Sequence, residues 1–379
     1  MSQVKLIFAG GGTGGHLYPA LAIADKIKEL IADKAHVEII FIGTTRGIEY
    51  RLRETLGYPL HIINMRGIVR SFTLKNLLVP FIIVSALIKS WKLLNTFKPN
   101  IVIGTGGYVS WAILKTASWK NIPTILQEQN SFPGVTTRQL ASKAKKIYLG
   151  FERAKDYIKT QAEIIVTGNP VRSEIKLIPQ DEARKNLQID EQKKTILILG
   201  GSQGARAINN AIIKSILANK LNENFQLLWQ TGKRDYKEVA MQVEHKVPKT
   251  SLFPFVTNMT ELYSAADVVI ARAGALTLAE IIQCNLPAIL IPFPFAAGDH
   301  QKKNAQDYVD RNMAMMLTED KLDSIDILEK TISFCDSNEF KNMKSTIEEI
   351  NKSSISAVDV IARDIISQLE EMDVLQKVA

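Results

Sequence analysis

The chain opens a strand, a glycine turn and a helix twice. Residues 6–27 read LIFAGGGTGGHLYPALAIADKI, and residues 193–217 read KKTILILGGSQGARAINNAIIKSIL. Each stretch begins with an apolar run of strand length, breaks at glycines and resumes with apolar residues at helical spacing. In the first copy that helical face is Leu17, Ala20, Leu21, Ala24, Ile27 and Ile31. Strand runs at Val37–Ile42, Ile101–Ile103, Thr124–Gln127 and Ile147–Leu149 follow the first opening, and Gln226–Gln230, Asp267–Ala271 and Ala288–Ile291 follow the second. Strands alternating with helices imply parallel sheets covered on both faces. Two openings in 379 residues predict two similar α/β domains, because that length exceeds what one core usually supports. The breakers Gly168, Asn169 and Pro170 in VTGNPVRSEI mark the expected link, and residues 355–378 read as helix with no strand after it.

Charge is unevenly placed. Residues 1–150 carry 19 Lys and Arg against 7 Asp and Glu, a balance of +12, whereas the remainder carries 28 against 32. A basic half suggests an anionic surface as partner, either nucleic acid or acidic lipid headgroups, with an ordinary basic domain as the alternative. The positive charges are scattered, without the clustered arginines and aromatics of a nucleic-acid face, so nucleic acid is not expected. The run Met1–Ala9 reads as a strand meeting glycines and not as a secretory signal. No apolar run reaches the roughly 18–20 residues of a membrane span. Cys284 and Cys335 lack metal-ligand spacing, and two isolated cysteines fit a reducing cytosol. Residues 72–97 stand apart, apolar from Leu77 to Ile88 with Lys75, Lys89, Lys92 and Trp91 around the run. They fit either a helix buried against the sheet or an interfacial segment whose lysines meet headgroups.

Gly10, Gly12 and Gly15 match the spacing of a dinucleotide fingerprint. That cofactor also needs an acid at the end of the second strand. Here the strand ends FIGTTRG, with Glu38 at its start and Glu49 too late. A phosphate-loop NTPase fits less well still, because His16 stands in the place of the required lysine and Leu17 follows it. What remains is a helix N-terminus whose bare N–H groups attract anions and whose glycines admit a ligand closely. GGSQGAR offers a second such terminus, and ARAGALTLAEI (residues 271–281) a third. Three together fit a pyrophosphate ligand bound between two domains, although any one alone is an ordinary βα turn.

A histidine at a helix N-terminus faces the positive end of the dipole, which disfavours the charged ring and suits a general base. His16 is therefore a candidate base, the alternative being a residue that only caps the turn. Glu280 fits a carboxylate accepting ribose hydroxyls, or a first-turn acid that complements the dipole. No Asp-x-Asp and no His/Cys cluster calls for a metal or other cofactor.

GGTGGHLYPALAIA, GTGGYVS, QEQNSFPG, TGNPVR, GGSQGAR and RAGALTLAEI occur in that order along nearly the whole chain. In these motifs the sequence closely resembles the MurG family, the N-acetylglucosaminyltransferases that make lipid II from lipid I in peptidoglycan synthesis. The resemblance implies an α/β fold of two Rossmann-like domains facing across a cleft, the glycosyltransferase-B fold. It implies residues 1–168 as an acceptor- and membrane-facing domain and 169–355 as a UDP-sugar domain. Residues 356–379 would form a helix packing back on the first domain. The donor would be UDP-N-acetylglucosamine. The acceptor would be the C4 hydroxyl of the MurNAc unit of undecaprenyl-pyrophosphoryl-MurNAc-pentapeptide, with inversion at the anomeric carbon and no bound catalytic metal.

Carried over by motif, donor binding falls to Thr13, Gly14, Gly15, Asn130, Arg172, Ser202 and Val256. It continues through Ala275, Leu276, Thr277, Leu278, Ala279 and Glu280, with Gln301 from the DHQ loop. His16 takes the place of the general base, and Tyr108 and Glu128 are acceptor-side candidates. Gln127 departs from the family's frequent histidine, Ala273 from a common serine, and Trp111 from the small residues usual after GGYVS. The resemblance also implies a peripheral enzyme on anionic lipids at the cytoplasmic face of the bacterial inner membrane. The rival within the same architecture is another UDP-sugar enzyme, a glycolipid glycosyltransferase or a UDP-sugar epimerase.

Overall fold

The computed structural model describes residues 2–65, 79–171, 175–201, 204–256 and 258–375. The chain divides into two compact units, one of residues 1–172 with 355–379 and one of residues 173–354.

The first unit holds strands β1 (Ser2–Gly10), β2 (Ala35–Gly43), β3 (Leu60–Ile62), β4 (Ile101–Gly106), β5 (Thr124–Glu128), β6 (Lys146–Leu149) and β7 (Glu163–Val166). They form one sheet in the order β3-β2-β1-β4-β5-β6-β7, every pair parallel. In β1 nearly every side chain is buried from Leu6 to Ala9, as a strand covered on both faces requires. Leu6 and Phe8 enter one hydrophobic cluster and Ile7 and Ala9 the other, so alternate residues serve opposite faces. The helix Ala357–Glu371 closes the first face through Ile361, Ala362, Ile365 and Leu369. Polar contacts pin it: Lys146 pairs with Asp364 at 2.8 Å, and the Tyr148 hydroxyl donates to the same carboxylate.

The second unit holds β8 (Lys194–Leu199), β9 (Phe225–Gln230), β10 (Leu252–Phe253), β11 (Val268–Ala271), β12 (Ala288–Leu290) and β13 (Met315–Met316). Its order is β10-β9-β8-β11-β12-β13, again parallel throughout. Both sheets therefore reverse strand order once, between β1 and β4 and between β8 and β11. In doubly wound sheets ligands bind beyond the strand C-termini at such a reversal.

The apolar segment is helical over Val79–Phe97, and its earlier part, residues 72–78, lies outside the described residues. Its 19 residues are long and apolar enough to cross a membrane by length and composition, which corrects the expectation that no run reaches that length. The helix buries one face and leaves the other to solvent. Ala86, Leu94 and Phe97 enter the core, while Phe81, Val84, Ile88 and Trp91 stand exposed, Phe81 at 74%. Lys120 lies over the Trp91 ring at 4.3 Å.

Candidate active site

Gly10–His16 links the end of β1 to the helix Gly14–Leu30, at the β1/β4 reversal. Close packing explains several of the glycines there. A Cβ on Gly10 would lie 1.8 Å from the Thr105 hydroxyl, and one on Gly106 would lie 2.7 Å from His16 Nδ1. One on Gly107, whose φ is +77°, would lie 2.7 Å from the Gly11 carbonyl. GTGGYVS is thereby wrapped against the His16 ring.

Two oxygens face His16 Nδ1, the Thr105 carbonyl at 3.1 Å and Gln129 Oε1 at 2.9 Å. Both can only accept, so Nδ1 carries the proton and Nε2 of the neutral ring keeps its lone pair. Gln129 is itself fixed, because its amide nitrogen donates to the Thr105 carbonyl at 2.7 Å and to Gln127. Gln127 donates to Asn169, whose amide returns to the Gln129 carbonyl. Thr105 Oγ1 also donates to the His16 carbonyl at 2.7 Å. Thr105, Gln129 and Asn169 thus belong to the site, although sequence reasoning gave them no part. Gln129 and Asn169 lie inside the motifs already quoted, but only the successive pairing of β1 with β4, β4 with β5, β5 with β6 and β6 with β7 brings them to His16.

Thr13 and Gly15 are exposed at the loop, and Tyr108, 36% exposed, begins the helix Tyr108–Trp119 beside Gly12. Glu128 ends β5. Its buried carboxylate accepts from the Asn130 backbone and side chain, from Gly134 N and from the Thr137 hydroxyl at 2.6 Å. With these four donors it holds the loop that carries Asn130.

In the second unit the helix Ala275–Gln283 starts after Gly274. Leu278 is buried in the core and leaves only backbone to a ligand, whereas Leu276, Thr277 and Ala279 are partly exposed. Glu280 lies in the second helical turn, buried, with Oε2 accepting from the Tyr263 hydroxyl at 2.9 Å, so it is not a first-turn acid. Burial and then the Glu280 charge push the Cys284 thiol up to about 12, which makes it no nucleophile. The Val256 N–H is taken by Gln230 Oε1 at 2.9 Å, leaving the carbonyl to present. Gln301 Oε1 accepts from Phe293 N at 2.9 Å, and Asn304 in the same helix reaches the Ala273 carbonyl. Arg172 and Ser202 lie outside the described residues. A cavity of about 640 Å³ in this unit is lined by Lys214, Phe293, Phe295 and Lys302 and by none of the expected donor residues. Among the described residues no group of three or more His, Cys, Asp or Glu could hold a metal ion.

Residues 6–149 match the glycosyltransferase family 28 N-terminal domain and residues 195–361 its C-terminal domain. The UDP-N-acetylglucosamine–N-acetylmuramyl-(pentapeptide) pyrophosphoryl-undecaprenol N-acetylglucosamine transferase of Christiangramia forsetii is 42% identical, over 84% of this chain and 86% of its own. The Chlorobium phaeobacteroides protein of the same name is 40% identical, over 84% and 87%. The crystal structure of Acinetobacter baumannii MurG shares the fold, with TM-score 0.73 and 23% identity over 97% of this chain and 100% of that one.

Proposed function

The chain belongs to glycosyltransferase family 28, among the transferases that build lipid II, and from that premise we propose how its residues perform the transfer. The enzyme moves N-acetylglucosamine from UDP-N-acetylglucosamine to undecaprenyl-pyrophosphoryl-MurNAc-pentapeptide. The acceptor C4 hydroxyl attacks the anomeric carbon from the face opposite UDP. The O–C1 bond forms as the bond to the UDP oxygen breaks, inverting the centre. His16 Nε2 takes the hydroxyl proton as the oxygen becomes nucleophilic. The departing pyrophosphate gains charge, which helix-terminal N–H groups at Gly14, Gly15 and Ala275 and the Arg172 guanidinium stabilise. Glu280 receives the ribose hydroxyls, the Val256 carbonyl meets the uracil, and Asn130, Ser202, Thr277 and Gln301 complete the donor contacts.

The observation that carries this reading is the His16 ring, held by two acceptors at Nδ1 with Nε2 left as the basic nitrogen. Lipid I lies in the bilayer, so the basic first 150 residues and the exposed face of Val79–Phe97 are read as a dock on anionic lipids at the cytoplasmic face of the inner membrane.

The test offers the enzyme lipid I and UDP-N-acetylglucosamine and follows lipid II. His16→Ala is expected to lower kcat by about 10²–10⁴-fold, the usual worth of a general base, with donor affinity kept. Turnover at the parent rate would remove His16 from the role, and absence of lipid II with the parent protein would remove the reading.

A further inference from the structure

Glu49 belongs to none of the motifs above, yet it is wholly buried beside the Gly10–His16 loop. One oxygen accepts from Gly12 N at 2.8 Å, and the other from Thr44 N at 2.9 Å and the Thr44 hydroxyl at 3.4 Å. Among the described residues it has no ion-pair partner. Glycines from three segments make room for it. A Cβ on Gly11 would lie 2.6 Å from its carboxyl carbon, one on Gly43 2.4 Å from its Cγ and one on Gly47 2.0 Å from an oxygen. Such separations are too short for real Cβ atoms, so these glycines accommodate a carboxylate of this chain and not a ligand. The loop is therefore not a bare anion cradle, because the Gly12 N–H already serves an internal anion. Anion-binding capacity is left to the helix start at Gly14 and Gly15.

We propose that Glu49 is a positioning residue for the transfer. It ties the loop after β1 to the turn after β2, so that Thr13 and His16 stand in fixed relation to the sheet. This rests on the transferase reading for its catalytic consequence, but not for its structural one. A carboxylate buried without a cation is tolerated only when its donors stay in place, so the loop and the carboxylate hold each other.

Four variants test this. In Glu49→Gln one oxygen becomes an amide that cannot accept, so one of the two backbone N–H groups loses its partner. Misplacing a catalytic group by about 1 Å costs up to about a hundredfold, and kcat is expected to fall about tenfold or more, with donor Kd within about threefold. Gly11→Ala, whose Cβ would strike the carboxylate, is expected to lower kcat similarly. Gly11→Ala combined with Glu49→Ala should be no worse than Glu49→Ala alone, because the obstructed group is gone. Deuterium exchange, read without substrate, should rise at the Gly12 amide in Glu49→Ala and at the Gly12 or the Thr44 amide in Glu49→Gln. Unchanged Gly12 protection in Glu49→Ala, or an additive double variant, overturns the proposal. So does normal kcat per folded molecule with only a lower melting temperature. A parent protein that makes no lipid II defeats the transferase reading alone, since the exchange experiment stands without it.

Discussion

The two ring nitrogens of His16 are used differently, and the difference comes from residues far away in sequence. Thr105 and Gln129 approach Nδ1 only because β1, β4 and β5 lie side by side, so no local spacing marks them. The histidine itself was legible as a candidate base from its place at a helix start, but its tautomer was not. Glu49 shows the same limit from the other side. Its spacing sets it apart from a ribose acid, while its contact with Gly12 depends on the turn that brings the helix Ile48–Arg51 back beneath the loop. The tautomer can be tested at one residue. Gln129→Leu keeps the volume and removes one of the two acceptors at Nδ1. We expect kcat to fall about tenfold, part of the 10²–10⁴ available to a general base, with donor KM within about twofold. Steady-state kinetics at saturating acceptor decide it, and a change confined to KM would place Gln129 with the donor instead.

At the scale of elements, the long central strands were readable because burial on both faces gives continuous apolar runs. The strands that sequence analysis left out are β3, β7, β10 and β13, of 3, 4, 2 and 2 residues. All lie at or near sheet edges, and runs so short carry no period of their own. The helix Val79–Phe97 was ambiguous for a physical reason, since both its faces are apolar and a hydrophobic period needs a polar face to show against. Its outer face makes a prediction. Phe81→Glu with Ile88→Glu changes two exposed side chains and leaves Ala86, Leu94 and Phe97 in the core. Full burial of such side chains is worth about 1.5–3 kcal/mol each, so even partial insertion lost from both predicts at least about a tenfold drop in partitioning to phosphatidylglycerol vesicles. The melting temperature should hold. Equal binding by parent and variant in a sedimentation assay would detach this face from the membrane.

The whole molecule is two units of one plan, and the chain finishes the first only with its last long helix. Ile361, Ala362, Ile365 and Leu369 cover one face of the seven-stranded sheet, although more than 180 residues of the second unit intervene. Stability should therefore be separable by unit. Asp364 accepts from Lys146 and Tyr148, both largely buried. Its carboxylate, with burial acting first, raises the Tyr148 hydroxyl above its ordinary range, so the phenol stays protonated and donating. Asp364→Ala leaves the Tyr148 hydroxyl without its acceptor and Lys146 with Glu163 alone. Hydrogen bonds to a charged group contribute about 1.5–3 kcal/mol, and the first unit should lose about that much. The chain carries its own reporters. Trp91, Trp111 and Trp119 lie in the first unit and Trp229 in the second, so in a Trp229→Phe background fluorescence follows the first unit, whereas Cys284 and Cys335 lie buried in the second with thiols pushed up to about 12 by burial. In urea, the variant should move the tryptophan fluorescence transition to lower concentration while thiol labelling begins where it does in the parent. Two transitions that shift together would mean that the units unfold as one, and that the closing helix stabilises the entire chain.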